Sequence, residues 1–132
     1  MKTRTAVAAL GALGLVLAVA ADPAHAGGPL DGRTFAGETG EQGKSKGDPE
    51  TFVFADGKFD PLQCHPWGFA ATPYTSTAEE GAVRFAAEHR NAKGERMKWS
   101  GVVRGETLEG TMTFWDDDGK ARDYWFRATL RK

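Results

Sequence analysis

Met97-Lys98-Trp99-Ser100-Gly101-Val102-Val103-Arg104, Leu108-Glu109-Gly110-Thr111-Met112-Thr113-Phe114-Trp115 and Tyr124-Trp125-Phe126-Arg127-Ala128-Thr129-Leu130-Arg131 share one rhythm. In the first, Met97, Trp99, Gly101 and Val103 alternate with Lys98, Ser100, Val102 and Arg104. In the second, Leu108, Gly110, Met112 and Phe114 alternate with Glu109, Thr111, Thr113 and Trp115; in the third, Tyr124, Phe126, Ala128 and Leu130 alternate with Trp125, Arg127, Thr129 and Arg131. A period of two places alternate side chains on opposite faces of an extended strand, so each stretch has one face for a core and one for water. Just upstream, Val83, Phe85, Ala87 and His89 alternate with Arg84, Ala86 and Glu88. Four such segments in succession predict an antiparallel sheet wetted on one side. The joints agree: Glu80-Gly81, Asn91 to Gly94, Gly105-Glu106 and Asp116 to Gly119 carry the residues that tolerate tight hairpin turns.

The same pattern extends toward the N-terminus. Phe52 and Phe54 lead into Asp56-Gly57, and Lys58-Phe59 lead out, which is a hairpin signal. Strands are predicted over Thr34–Thr39, Thr51–Ala55, Lys58–Leu62, Pro73–Ala78, Ala82–His89, Arg96–Arg104, Thr107–Trp115 and Ala121–Leu130. The fold class is all-β: an antiparallel, eight-stranded, up-and-down meander closing into a small barrel, since closure removes exposed sheet edges. Gly37, Gly101 and Gly110 would ease coiling and crowding inside. An open bent sheet or a two-sheet sandwich is the alternative. Two segments break the rhythm. Residues 40–50 are polar, glycine-rich and without an apolar side chain, which predicts a mobile loop; residues 63–72 form an aromatic connection, expected at the barrel mouth.

The first residues read as a leader. Lys2 and Arg4 precede an uncharged run from Ala6 to Ala21, and Ala24-His25-Ala26 offers a small–x–small cleavage pattern. That run is too short to span a bilayer, which takes about 20 residues. The expected organisation is a signal peptide over residues 1–26 and one barrel domain over residues 27–132, with a cut after Ala20 as the alternative. The product would be secreted or periplasmic, without a membrane anchor. A net charge of −1 with both signs interspersed excludes the basic stripe of a nucleic-acid binder. Cys64 is the single cysteine, so no internal disulfide forms, and the plain expectation is a buried small hydrophobe.

This organisation resembles the calycin group, the lipocalins and avidins, whose secreted members are eight-stranded meander barrels that hold small apolar molecules. The likeness is one of layout over nearly the whole domain. Gly32-Arg33-Thr34-Phe35 stands where lipocalins carry Gly-x-Trp, and the paired cysteines of many secreted lipocalins are absent. The resemblance implies a binding protein rather than an enzyme.

Residues with chemistry concentrate in Gln63-Cys64-His65-Pro66-Trp67-Gly68-Phe69. A Cys–His pair would suit nucleophilic catalysis, but neighbours in an extended chain face opposite ways, so Cys64 would need His89 from another strand. Cys64 with both histidines would also make a soft ligand set for zinc or copper, or one histidine could serve haem. Placing His89 at a wet barrel rim is the plainer expectation. Asp116-Asp117-Asp118-Gly119 lacks the spaced carboxylates of a calcium loop and reads as a hairpin turn. No triad or acid–base constellation is legible, and neither a catalytic residue, a metal nor a cofactor is assigned. The candidate ligand-binding residues are Cys64, His65, Trp67, Phe69, His89 and Trp99, for a small apolar or aromatic ligand. Trp115 and Trp125, on the opposite face of adjacent strands, could stack as surface packing or present a platform to a protein partner. Second to ligand binding stands a structural or interaction module of the cell envelope whose barrel is filled by its own side chains; a haem- or metal-binding protein stands third.

Overall fold

The computed structural model describes residues 24–26 and 28–132. The leader expected over residues 1–26 therefore lies outside the described residues except for its last three. Among the described residues nine strands form one sheet: β1 (Ala24–Ala26), β2 (Arg33–Glu41), β3 (Asp48–Ala55), β4 (Lys58–Pro61), β5 (Thr72–Glu79), β6 (Ala82–Arg90), β7 (Arg96–Arg104), β8 (Thr107–Trp115) and β9 (Ala121–Leu130). A 3-10 helix, η1 (Leu62–Trp67), joins β4 to β5. From β2 to β9 every strand pairs antiparallel with its neighbour in sequence, and β9 returns to β2 through Phe35↔Leu130 to Glu41↔Tyr124. The eight strands β2–β9 thus close an up-and-down barrel. The open-sheet and sandwich alternatives fall away, because the first and last strands of the meander are hydrogen-bonded to each other.

The wall is uneven at one seam. β4 and β5 pair only through Lys58↔Pro73 and Phe59↔Thr72, and Tyr74 N–H donates to Gly57 O at 3.2 Å. Beyond that point, β1 lies on the free edge of β5, with Ala24↔Thr77, His25↔Ser76 and Ala26↔Thr75.

The alternation read from the sequence is the burial pattern of the strands: Phe85, Ala87 and His89 point in from β6, and Met97, Trp99 and Val103 from β7. Eight strands leave an interior just wide enough for side chains to fill. Here aromatic rings fill it. Phe52, Phe54, Phe59, Phe85, Trp99 and Phe126 interlock, with ring centroids 4.9 Å apart for Phe59–Phe85, 5.1 Å for Phe54–Phe85, 5.2 Å for Phe59–Trp99 and 5.3 Å for Trp99–Phe126. Tilted and edge-on contacts of this kind suit the charge distribution of the rings. Room for Phe126 comes from Gly101 and Gly110, which face each other across β7 and β8: a Cβ on Gly101 would sit 2.8 Å from the tip of that ring, and one on Gly110 2.7 Å.

The two ends of the barrel differ. At one, the turn before β2 inserts Leu30, fully buried, and Asp31 accepts hydrogen bonds from Tyr74 Oη at 2.7 Å and Gly57 N–H at 3.0 Å. The other carries the β2–β3, β6–β7 and β8–β9 turns together with η1 and the chain that follows it.

The loop expected over residues 40–50 is shorter and more tightly held than its composition suggests. β2 runs on to Glu41 and β3 begins at Asp48. Between them, Lys44 O accepts from Trp125 Nε1 at 2.8 Å, Ser45 O from Arg127 at 3.1 Å, and Glu38 accepts from Gly47 N–H at 3.0 Å. Side chains of β9 pin a segment that has no apolar residue of its own to bury.

Candidate functional site

The end without Leu30 holds a cavity of about 420 Å³, lined by Asp48, Cys64, Trp67, Phe69, Glu95, Met97, Met112, Phe114, Arg122 and Tyr124. Strands β3, β7, β8 and β9 supply the walls, and the η1 connection supplies the lid. The lid forms because Pro66 and Gly68 punctuate it: η1 ends at Gly68, whose φ of 88° is the left-handed region glycine occupies freely. That reversal sends the two flanking aromatics opposite ways. Phe69 turns into the barrel and is 3% exposed; Trp67 stays outside at 71%. The connection is plug and lip at once.

Glu50 anchors the lid. It is the first residue of the inward series Glu50, Phe52, Phe54 on β3 and is itself buried. Its carboxylate accepts from Gln63 N–H at 2.9 Å and from the Cys64 thiol at 3.8 Å, while Gln63 Oε1 accepts from Thr51 N–H at 2.6 Å. Burial raises the Glu50 pKa, opposed by the donors from Gln63, Thr51 and Cys64. Burial first, and the adjacent Glu50 carboxylate second, push the Cys64 thiol up to about 12. A thiol held protonated in this way is a poor nucleophile.

The six residues nominated from the sequence divide in two. Cys64, half-buried rather than fully buried, lines the cavity with Trp67 and Phe69. His65 points away: its Nε2 lies 2.6 Å from Asp60 Oδ1, beside a shallow outer depression formed with Gly68, Phe69, Ala70 and Ala71. Cys64 and His65 do not pair with each other, since each is bonded to a different carboxylate. His89 is not at a wet rim. It is 2% exposed, because Phe69 caps it and Phe59 and Trp99 flank it, with ring centroids 6.1, 6.0 and 6.3 Å away. Burial lowers its pKa to about 4, against smaller opposing pulls from the Phe59 backbone and Asp60. Trp99 is fully buried in the aromatic core and lies below the cavity rather than in its lining.

Sequence reasoning passed over Asp48, Glu50, Glu95, Met97 and Arg122. Glu50 was recoverable, since it keeps the period of Phe52 and Phe54. The others reach the cavity because separate hairpins bring them to one end, which no local pattern encodes.

Trp115 and Trp125 are not neighbours across the sheet: Trp115 registers with Ala121 and Trp125 with Thr111. Each is covered by an arginine, Arg96 lying 4.1 Å from the Trp115 ring centroid and Arg127 4.5 Å from that of Trp125. Asp116, Asp117 and Asp118 lie close together at the β8–β9 turn, where Asp116 Oδ1 accepts from the backbone of Asp118 and Lys120 at 2.9 Å. That is the hairpin-turn role.

The barrel has the layout shared by calycins. Comparison with known proteins finds no matching family model, no similar curated protein and no similar solved structure. The class is a closed, eight-stranded antiparallel β-barrel with one plugged end and one hollowed end.

Proposed function

We propose that this protein is a non-catalytic, secreted or periplasmic binding barrel that takes a small apolar or aromatic molecule at its hollowed end, in the manner of a calycin. The observation that carries the reading is the cavity itself. Met97, Met112, Phe114 and Tyr124 give it an apolar wall, Asp48, Glu95 and Arg122 give it a charged edge, and Trp67 stands exposed beside it. Apolar walls with a few polar groups at the margin are the usual make-up of a small-molecule site. The aromatic packing below the cavity limits the guest to the mouth, so a short or flat molecule fits better than a long chain.

The fully buried rings of Phe52, Phe54, Phe59 and Trp99 favour a second reading, a structural envelope module with a self-filled barrel. Titration with an apolar fluorescent probe separates the two. Saturable uptake that weakens at least fivefold in Trp67→Ala and in Met112→Ala supports the binding reading. No saturable uptake by the wild-type protein supports the structural one.

A further inference from the structure

Beyond Met1 the chain has three sulfur-bearing side chains, Cys64, Met97 and Met112, and all three line the mouth cavity. Directly beneath lies a second irregularity. His89 Nδ1 and Nε2 and Trp99 Nε1 are buried and have no hydrogen-bond partner of ordinary geometry among the described residues. Buried ring nitrogens are nearly always satisfied, and the Phe59 backbone, out of good alignment, engages at most one of the two on His89, so the other calls for an explanation.

The strand register joins the two irregularities. His89 on β6 pairs with Met97 on β7, and Trp99 on β7 pairs with Met112 on β8. Cross-strand partners on one face hold their Cβ atoms about 5 Å apart. His89, Met97, Trp99 and Met112 are therefore contiguous on the inner wall, at the floor of the cavity. We propose that His89, Met97 and Met112 form a binding site for a soft monovalent cation, Cu(I) or Ag(I), with the Trp99 and Phe69 rings closing it from water.

The donor set selects that class of ion. Thioethers are soft, uncharged ligands that favour Cu(I) over zinc, calcium or magnesium, and a neutral imidazole completes such a set. Structural zinc sites typically draw on several thiolates, imidazoles or carboxylates, and the floor offers one imidazole beside two thioethers, with Cys64, Asp48 and Glu95 in the surrounding lining. Cys64 lines the same cavity, but its thiol is engaged as the hydrogen-bond donor to Glu50. Aromatic faces around a desolvated cation add favourable quadrupole attraction. Thioethers also form no disulfides, so the set would persist in an oxidising compartment. The inference shares Met97 and Met112 with the apolar-ligand reading but does not rest on it, since His89 lies outside the lining an organic guest would meet.

Ag(I), which needs no reductant, is the probe. Untagged protein is titrated in chloride-free buffer and followed by native mass spectrometry, tryptophan fluorescence and the histidine ring resonances. The expected result is one retained ion per chain, quenching of fluorescence, and a shift of the His89 ring signals without one at His65. Met97→Leu and Met112→Leu conserve volume and should fold. Each should weaken binding at least tenfold, while Cys64→Ser stays within twofold of wild type. No retained ion, or binding lost in Cys64→Ser and unchanged in both methionine variants, overturns the proposal. The orphaned nitrogens would then be partners of an internal water.

Discussion

Two aromatic residues either side of one glycine carry opposite assignments. Phe69 is packed against His89 and buried; Trp67 is almost wholly in water. Phe69→Ala should therefore cost about 3–5 kcal/mol of folding stability, the usual toll for truncating a buried ring. Trp67→Ala should stay within about 0.5 kcal/mol of wild type, as exposed positions do. Urea denaturation of both variants checks the pair; equal losses would mean that the connection does not divide as described. Cys64 offers a second test at this scale. Its thiol is restrained by burial and by the Glu50 carboxylate, so a water-soluble thiol reagent should label native protein slowly and unfolded protein quickly. Glu50→Gln removes the negative neighbour and should speed native labelling at pH 8 several-fold. An unchanged rate would assign the restraint to burial alone.

At the level of the strand, β7 and β8 depend on a facing pair of glycines. A Cβ on Gly110 would come within 2.2 Å of Ser100 O and 2.5 Å of Gly101 Cα, both backbone atoms that cannot swing aside. Gly110→Val should destabilise by at least about 1–3 kcal/mol, whereas Thr111→Val, on the outer face, should melt close to wild type. The same strands show what a sequence reveals. Period-two alternation marks β6 to β9 within a residue of their ends, because each has a dry face, a wet face and a turn residue at its limit. It fails at the β2–β3 connection, where the strands are extended by polar residues that β9 side chains hold, and at η1, where a single 3-10 helix replaces the expected end of a strand. The candidate site was legible only in its lid. Cys64, Trp67 and Phe69 stand out by composition, but Met97, Met112 and Tyr124 look like ordinary core positions until the barrel closes and the cavity opens beside them. His89 looked like a rim residue because a histidine on an apolar face gives no sign of how deep that face is.

For the molecule as a whole, buried Glu50 ties stability to pH. Its folded pKa is raised above 4.5 by desolvation. Below 4.5 the carboxyl is protonated in both folded and unfolded chains, and its contribution is fully present. As pH climbs through the folded value, the unfolded chain has already released the proton, so the fold loses stability. His89, lowered to about 4, acts in the opposite sense between 4 and 6.5. The Glu50 contribution is therefore read by difference: Glu50→Gln should gain stability relative to wild type as pH is raised from 4 toward neutrality. Denaturant midpoints at several pH values test this, and parallel curves for the two proteins would show that Glu50 does not titrate in this range.

A ring of hydrogen-bonded strands is only as tight as its narrowest join. Here that join is the two-residue overlap of β4 with β5, and the tripeptide Ala24–Ala26 is clasped to the edge of β5 that β4 leaves free. Processing before Gly27 would cut the clasp away and leave the Thr75–Thr77 edge of β5 bare; processing upstream of Ala24 would keep it fastened. Chains made to begin at Gly27 should exchange their β5 amide hydrogens faster than chains that retain Ala24, and that edge is where the hoop would first spring open.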